Sequence, residues 1–162
     1  MKSITAANNQ KTSFTYTSTN ETRVRVGDST NIYRFNAQDQ LLSHHILEAD
    51  GNESLVVSYQ YEQKDQNADG VADGNILSMT DGEGRLVEYR YDAQGNRIRE
   101  RDSAGNTLVH EYNSQNQLIR SHQFKSQPLV SLDSVTVPSA AQSTQYVLSL
   151  IHISEPTRRR GI

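Results

Sequence analysis

The sequence predicts an all-β protein in which consecutive antiparallel β-hairpins form one twisted or spiralling meander sheet. Turn residues recur every ~8–12 residues, which is the spacing of such a meander. No window carries apolar residues at the i, i+3, i+4, i+7 positions of an amphipathic helix. An eight-residue pattern also recurs: an aromatic residue, Asp or Asn, a small residue, Gln, a turn residue, an amide and two mostly aliphatic positions. Its three copies are residues 35–42, 91–98 and 112–119.

The fifth position of this pattern predicts a tight turn. It holds Asp39, Gly95 and Asn116, and Gly, Asn and Asp are the residues that best tolerate a positive φ. A type I turn followed by one left-handed residue makes a hairpin loop with a bulge. The Asp or Asn at the second position can accept a hydrogen bond from the backbone two residues on and so pre-form that turn. Each copy is therefore predicted to be a strand, a turn and a second strand.

A second kind of turn recurs in the same register. Two Asp-x-x-Gly segments, 81–84 and 102–105, are separated by 21 residues, and the same 21 residues separate Tyr91 from Tyr112. Both kinds of turn therefore belong to one repeating unit, which is stronger evidence for a repeat than either turn alone.

The segment Tyr89-Arg90-Tyr91-Asp92-Ala93-Gln94-Gly95-Asn96, followed in register by Asp102-Ser103-Ala104-Gly105-Asn106, resembles the YD repeat of RHS proteins. The resemblance covers about residues 12–124. It implies a long β-sheet that spirals into a hollow shell, as in bacterial RHS effectors, the B and C components of insecticidal Tc toxins, and teneurins. The sequence departs from the repeat where Asp39 and Asn116 replace glycine and where Phe35 replaces tyrosine.

The resemblance implies a structural segment of a larger RHS-type shell that encapsulates or presents a C-terminal toxin or effector. The implied partners are further repeats of the same longer chain and the toxin cargo. The implied location is secreted or bacterial cell surface, although no export signal is visible. The Pro- and Asp-rich boundary motif that precedes the toxin in many relatives is absent, so no toxin junction is predicted. The alternative is an adhesin-like or carbohydrate-binding β-repeat module at the cell surface, with a glycan as its partner.

An acidic insertion interrupts the repeat and predicts a calcium site. Tyr61 precedes Tyr91 by 30 residues rather than 21, which indicates that the nine residues 65–73 are inserted within a hairpin. The form Asp-x-Asn-x-Asp-Gly-x-x-Asp resembles the calcium loops of EF-hands, dockerins and thrombospondin type 3 repeats. Calcium prefers six to eight oxygen ligands, and the candidate ligands are Asp65, Asn67, Asp69, the Val71 carbonyl and Asp73. Position twelve of the loop holds Ile76 instead of a bidentate Glu, so a solvated hairpin tip without calcium is the alternative.

Composition argues against several function classes. The net charge of −3 and the lack of a basic stripe argue against nucleic-acid binding. The chain has no cysteine, so disulfides and thiolate metal sites are excluded. No stretch is long and apolar enough to span a membrane. There is no Gly-x-Ser-x-Gly nucleophile motif, and the adjacent His44 and His45 are predicted to point to opposite faces of a strand, so no enzyme is predicted.

The ends of the chain differ from the repeat region. Residues 1–11 are predicted to be a disordered N-terminus, and residues 12–124 to be the hairpin array. Residues 125–147 are predicted to be a linker or a truncated next unit. Residues 148–162 resemble the in-frame translation of a sequencing-library adaptor, and we interpret them as a non-native tail that is excluded from fold reasoning. The chain is accordingly interpreted as a fragment of a longer protein.

Overall fold

A single antiparallel sheet of twelve strands makes up the fold, which confirms the all-β prediction. The computed structural model describes residues 2–5, 11–18, 20–63 and 74–146. The order of strands in the sheet follows their order in the chain, so each connection joins two neighbouring strands. The strands are β1 (Lys2–Thr5), β2 (Lys11–Ser18), β3 (Glu21–Val26), β4 (Ser29–Phe35), β5 (Leu41–Leu47), β6 (Glu53–Tyr61), β7 (Ile76–Asp81), β8 (Leu86–Tyr91), β9 (Arg97–Asp102), β10 (Asn106–Tyr112), β11 (Leu118–Lys125) and β12 (Gln142–Gln145).

The two faces of the sheet are chemically different. Residues paired across strands share a face, and successive residues alternate between faces. One face, here called the tyrosine face, carries Tyr16, Tyr33, His44, Tyr59, Tyr89 and His110. The other face, here called the charged face, carries Glu21, Arg34, Gln60, Glu88 and Arg101. Most side chains on both faces are only half-buried, as expected for a single-layer sheet.

The left-handed residues lie where the repeated pattern predicts them. The φ angle is 59° at Asp39, 58° at Asn116 and 78° at Gly95. The second kind of turn also has a left-handed residue, with φ of 78° at Gly84 and 83° at Gly105. These are the turn positions of their hairpins, so the predicted hairpin geometry is confirmed.

Each repeated hairpin contains a second bulge that the sequence pattern did not predict. Tyr91 pairs with Arg97 while Arg90 pairs with Arg99, so Ile98 has no opposite partner. The aliphatic eighth position of the pattern is the extra residue in all three copies, as Leu42, Ile98 and Ile119. A bulge increases the local twist of a strand. The regular recurrence of this bulge therefore gives the sheet a repeated twist.

The segment after β11 folds back over the charged face instead of leaving it as a linker. This segment, Ser126–Val135, is here called the strap, and it contains a single 3-10 turn at Leu132–Ser134. Leu132 is fully buried, and Val135 is 8% exposed. The chain then returns to the sheet as β12, which pairs with β11. The sequence pattern did not predict this packing, because the strap follows neither the alternation of a strand nor the repeat.

The N-terminus also differs from its prediction. Lys2–Thr5, which were expected to be disordered, form β1 and pair with β2, although all four residues are exposed. The free backbone groups of the β2 edge account for this pairing, since an edge strand offers a row of donors and acceptors. The insertion 65–73 and the tail 148–162 lie outside the described residues.

Candidate functional site

A hydrogen-bonded turn built on an Asp or Asn side chain is the recurring structural element of the chain. At Asp92, Oδ1 accepts the backbone N–H groups of Gln94 at 3.0 Å and of Asn96 at 2.8 Å. The other oxygen, Oδ2, accepts from the Asn96 side-chain amide at 2.9 Å. The backbone N–H of Asp92 closes the turn by donating to the Asn96 carbonyl at 3.0 Å. Both oxygens of this carboxylate are therefore satisfied.

The two kinds of turn seen in the sequence share this geometry. In each, the first side chain accepts from the backbone N–H groups two and four residues on, at 2.8–3.0 Å, and the residue three positions on is left-handed. The first residues of these turns are Asn36, Asp81, Asp92, Asp102 and Asn113. Hydrogen bonds from the backbone of Arg85 lower the pKa of Asp81, and the Asn106 side chain lowers the pKa of Asp102. These two turns therefore favour the ionised form of Asp81 and Asp102.

The inserted hairpin keeps the hydrogen bonds between the first and last residues of this turn. The Glu62 N–H donates to the Asn75 carbonyl at 2.8 Å, and the Asn75 side-chain amide donates to Glu62 Oε2 at 3.1 Å. Gly74 has a φ of 70°. Glu62, Gly74 and Asn75 thus take the places of Asp92, Gly95 and Asn96. The insertion therefore enters the hairpin between the second and fifth positions of the repeated pattern.

The Glu62 side chain differs from its counterparts in one respect. Glu62 is 4% exposed, and its Oε1 is buried without a hydrogen-bond partner in the described part of the chain. The corresponding oxygen of Asp92 accepts two backbone N–H groups. A buried carboxylate oxygen without a partner is unfavourable, because it has lost water and gained nothing in exchange.

The predicted calcium ligands in the insertion, Asp65 to Asp73, lie outside the described residues, so their geometry is not described here. Elsewhere, over the residues that the structure does describe, no group of three or more His, Cys, Asp or Glu side chains could hold a metal ion. The donor set of the insertion consists of carboxylate, amide and carbonyl oxygens, which fits calcium.

The hairpin turns that lie side by side at one end of the strands contact one another. Asn96 Nδ2 donates to Asn116 Oδ1 at 3.1 Å, which joins two adjacent turns. Gln40 Nε2 donates to the Gly74 carbonyl at 3.0 Å, which joins the inserted hairpin to the turn before it. These contacts couple neighbouring hairpin turns to one another.

A groove lies on the charged face beside the strap. Its volume is about 470 Å³, and its lining residues include Gln60, Ser78, Thr80, Leu86, Arg90, Tyr91 and Asp133. Arg90 Nε donates to Asp133 Oδ1 at 2.9 Å, so a salt bridge between β8 and the strap borders the groove. The lining combines amide, hydroxyl, carboxylate and guanidinium groups with one aromatic ring.

The two adjacent histidines lie on opposite faces, as predicted. The His44 ring stacks on Tyr33 with 4.6 Å between the ring centroids, and burial lowers the pKa of His44. His45 instead lies 3.4 Å from Arg34 Nη1 on the charged face. The two rings therefore contact different residues on opposite faces of the sheet.

A third histidine forms a chain of hydrogen bonds that the sequence did not reveal. His122 Nε2 lies 2.8 Å from Glu111 Oε1, and its Nδ1 lies 2.7 Å from Ser143 Oγ. Such a chain can activate a serine in an enzyme. Here its members stand on three adjacent strands, β10, β11 and β12, and they fasten β12 to the sheet. No sequence motif signals this chain, because strand pairing alone brings the three residues together.

The described residues contain no helix that is long and apolar enough to cross a membrane. Residues 72–107 match the family model described as RHS Repeat, so over this stretch the chain is similar to that repeat. None of the curated proteins compared matches the chain.

Two solved structures are similar to the chain. The crystal structure of TcdB2-TccC3-Cdc42 matches with a TM-score of 0.57 and 14% identity over 75% of this chain. The crystal structure of TcdB2-TccC3-TEV matches with a TM-score of 0.55 and 16% identity over 73% of this chain. In each case this chain spans 6% of the length of the matched chain. At these identities the likeness shows a shared fold.

Proposed function

We propose that this RHS-repeat chain is a structural segment of a larger shell that encapsulates or presents a C-terminal toxin or effector. The observation that carries the proposal is the topology: twelve strands pair in chain order as one open sheet, and one kind of turn recurs along it. A sheet of this kind grows by adding hairpins at its ends. Its similarity to part of the TcdB2-TccC3 crystal structures supports the same role.

The single-layer architecture favours a structural role over a catalytic one. In the described residues the buried hydrophobic side chains are Ile32, Leu132 and Val135. Further repeats of the same longer chain would cover the two ends of the sheet, where β1 and β12 each have one described neighbour. We place such a protein outside the producing cell, secreted or at the bacterial cell surface.

Electron microscopy of the longer natural chain tests this proposal. We expect a closed hollow particle, and we expect its C-terminal cargo to resist protease until the particle is opened by denaturant. A control protein that carries the cargo without the repeats should be cut at once. An extended or solid particle, or a cargo that is cut equally fast in both proteins, would contradict the proposal.

The groove on the charged face favours a second candidate, a carbohydrate-binding role in a cell-surface adhesin. Planar polar side chains such as Gln60 and Arg90, beside the Tyr91 ring, are suited to hydroxyl-rich ligands. Glycan-array binding by the chain, lost on Gln60→Ala and kept on Gln38→Ala at a distant exposed turn, would support this candidate. Equal binding by both variants would remove the groove from consideration.

We further propose that the insertion binds calcium through Asp65, Asn67, Asp69, the Val71 carbonyl and Asp73. The ion would neutralise the acidic side chains and stiffen the inserted loop. Alternating oxygen-bearing residues and Gly70 at the bend support the proposal. Isothermal titration of calcium into the chain and into an Asp65→Ala/Asp69→Ala variant tests it. Heat of binding in the unaltered chain alone is expected, and identical titrations would end the proposal.

A further inference from the structure

We propose that Arg90 and Arg99 bind a carboxylate of an acidic peptide segment that docks on the charged face beside the strap. The two arginines lie directly opposite each other on β8 and β9, and both belong to the charged face. The inference goes beyond the shell proposal, since these residues are present in this chain and their contacts do not depend on what the sheet encloses.

Arg99 is the one arginine among the described residues that has neither a hydrogen bond nor an ion pair. The others each contact a carboxylate or carbonyl oxygen, and they are Arg23, Arg25, Arg34, Arg85, Arg90, Arg97, Arg101 and Arg120. Arg99 is half-buried, so a ligand from solution can reach it. Its guanidinium therefore offers a planar fork of N–H donors, which fits a carboxylate.

The position of Arg99 opposite Arg90 makes the missing partner important. Like charges directly opposite each other on one face of an antiparallel pair destabilise the sheet. Arg90 is compensated by Asp133 of the strap, because its Nε donates to Oδ1 at 2.9 Å. No carboxylate in the described part of the chain does the same for Arg99. A bound carboxylate would satisfy Arg99 and reduce the repulsion between the two guanidinium groups.

The carboxylates on the neighbouring strands are already used by other arginines. Glu88 binds Arg101, and Glu111 binds Arg120. The charged residues that β8 to β11 and the strap place on the charged face are Arg90, Arg99, Arg101, Arg120, Glu88, Glu111 and Asp133. Four arginines and three carboxylates leave one positive charge in excess, although the whole chain has a net charge of −3. One excess charge suits a single carboxylate of a peptide and not the dense phosphates of a nucleic acid.

The strap shows how a peptide docks on this face. Arg101 binds its main chain by donating to two carbonyls, at 2.9 and 2.8 Å, and Arg90 binds the Asp133 carboxylate. The Asp133 side chain is 63% exposed and that of Arg90 is 25% exposed, so this ion pair lies where solvent reaches it. An acidic peptide from a partner can therefore repeat the same contact at Arg99 or replace Asp133 at Arg90.

The groove beside the strap provides space for the residues that flank the carboxylate. Arg90 lines this groove of about 470 Å³, and so does Ile98, the residue before Arg99. Gln60 and Ser78 on the same lining carry side chains that can form hydrogen bonds with a peptide main chain. The ligand that fits these groups is an extended peptide with an aspartate or glutamate among small polar residues.

Fluorescence anisotropy of labelled peptides mixed with the full chain tests the proposal. The probe is a peptide of alternating serine and aspartate, and the control peptide has asparagine in place of each aspartate. A labelled oligogalacturonate, whose carboxylates are carried by a sugar, is the third probe. The variants are Arg99→Gln and the control Arg97→Gln. Arg97 lies on the same strand opposite Tyr91, so the control removes the same charge from the tyrosine face.

We expect the aspartate peptide to bind at least about tenfold more tightly than the asparagine peptide, because a charged hydrogen bond is lost in the latter. Arg99→Gln should weaken binding of the aspartate peptide by about tenfold, and Arg97→Gln should leave it unchanged. Equal binding of the two peptides, or equal weakening by the two variants, would overturn the proposal. If the oligogalacturonate binds through Arg99 and the peptide does not, the partner is a glycan and the peptide proposal is wrong.

Two further measurements separate ligand binding from a structural role of Arg99. Asp133→Asn removes the internal competitor at Arg90 and should tighten peptide binding by about two- to fivefold. Arg99→Gln should melt at the same temperature as the unaltered chain or higher, because it removes a like charge opposite Arg90. A lower melting temperature for Arg99→Gln, or weaker peptide binding by Asp133→Asn, would show that these side chains serve the fold, which would overturn the inference.

Discussion

Arg101 Nη2 on β9 donates a 2.6 Å hydrogen bond to Glu88 Oε2 on β8, and the pair lies beneath the strap. Arg101 also donates to the carbonyls of Gln127 and Val130, at 2.9 and 2.8 Å. The side chain is 2% exposed. One guanidinium thus links two strands of the sheet to the segment that covers them.

Replacing Arg101 is expected to release the strap. Arg101→Met keeps the aliphatic stem but leaves Glu88 and the carbonyls of Gln127 and Val130 without their buried donor, so we expect a loss of about 2–4 kcal/mol in the free energy of unfolding. Urea denaturation measures the loss, and protease cleavage near Leu129 reports on the strap. The control is Arg90→Met, which removes the more exposed pair with Asp133 and should lose less than about 1 kcal/mol. Equal losses would mean that burial of the guanidinium is unimportant.

Two glycines with the same backbone conformation are expected to respond differently to a methyl group. Gly95 and Gly105 both have positive φ, and a Cβ at Gly95 would meet nothing within 4 Å. Gly95→Ala should therefore reduce stability by about 1 kcal/mol, the price of a left-handed alanine. A Cβ at Gly105 would collide with the Ser126 carbonyl oxygen, so Gly105→Ala should cost clearly more. Thermal unfolding of the two variants checks this, and a smaller effect at Gly105 would contradict the close approach of the strap.

The repeated turn should accept asparagine but not alanine at its first position. Asp92→Ala removes three hydrogen bonds to a side chain and should destabilise by about 1–2 kcal/mol. Asp92→Asn should be close to neutral, because Asn36 and Asn113 make the same backbone contacts in their own turns. Chemical denaturation at neutral pH separates the two outcomes. If both substitutions are equally harmful, the turn depends on charge and not on the acceptor geometry.

Glu21 is expected to make the fold sensitive to acid. Hydrogen bonds from Thr17, Arg23 and Arg34 lower the pKa of Glu21 from 4.5 to about 2. A carboxyl whose pKa is lower in the folded state stabilises it fully above the unfolded pKa, and this contribution is lost as the pH falls from about 4.5 towards 2. The side chain keeps 16% exposure, so solvent screens part of the interaction and we expect about 1–2 kcal/mol at pH 7.

Glu21→Gln provides the matched comparison for this pH dependence. The variant should be less stable than the unaltered chain at pH 7, and the difference should shrink as the pH falls below 4.5. Urea unfolding at a series of pH values between 7 and 2 measures both curves. A difference in the free energy of unfolding that stays constant across this range would show that the charge of Glu21 does not contribute to stability.

The isolated chain is expected to associate through its ends. In the described sheet, β1 and β12 each pair on one side only, and Ile4 and Tyr16 near the first edge are 66% and 61% exposed. Open strand edges and exposed apolar side chains promote association. Sedimentation velocity should show larger species as concentration rises, and Ile4→Lys should reduce them. A single monomeric species with a sharp cooperative melt would contradict this expectation.

The features that the sequence predicted are those set by contacts within a few residues. The left-handed conformation at Asp39, Gly95 and Asn116 follows from residue type and spacing, and each turn closes over five residues. The opposite orientation of His44 and His45 follows from strand alternation alone. These local rules were sufficient for the fold class and the hairpins.

The features that were missed depend on long-range packing. The strap is held by Arg101, which is separated from Val130 by 29 residues, and no local pattern marks Leu132 as a buried residue. The hydrogen-bonded chain through His122 requires the register of three strands. The place of Glu62 as the first residue of the interrupted turn could have been found, because Gly74-Asn75 repeats the dipeptides Gly95-Asn96 and Gly105-Asn106.

The strict pairing of each strand with its chain neighbours has a genetic consequence. An in-frame duplication or deletion of one whole unit adds or removes a hairpin pair without changing which side chains of the remaining strands point to either face. A shift by an odd number of residues within a strand would instead exchange the tyrosine face with the charged face. Insertions and deletions in such a gene are therefore tolerated when they comprise complete units or fall within turn tips. The segment between Glu62 and Gly74 is an insertion of the second kind.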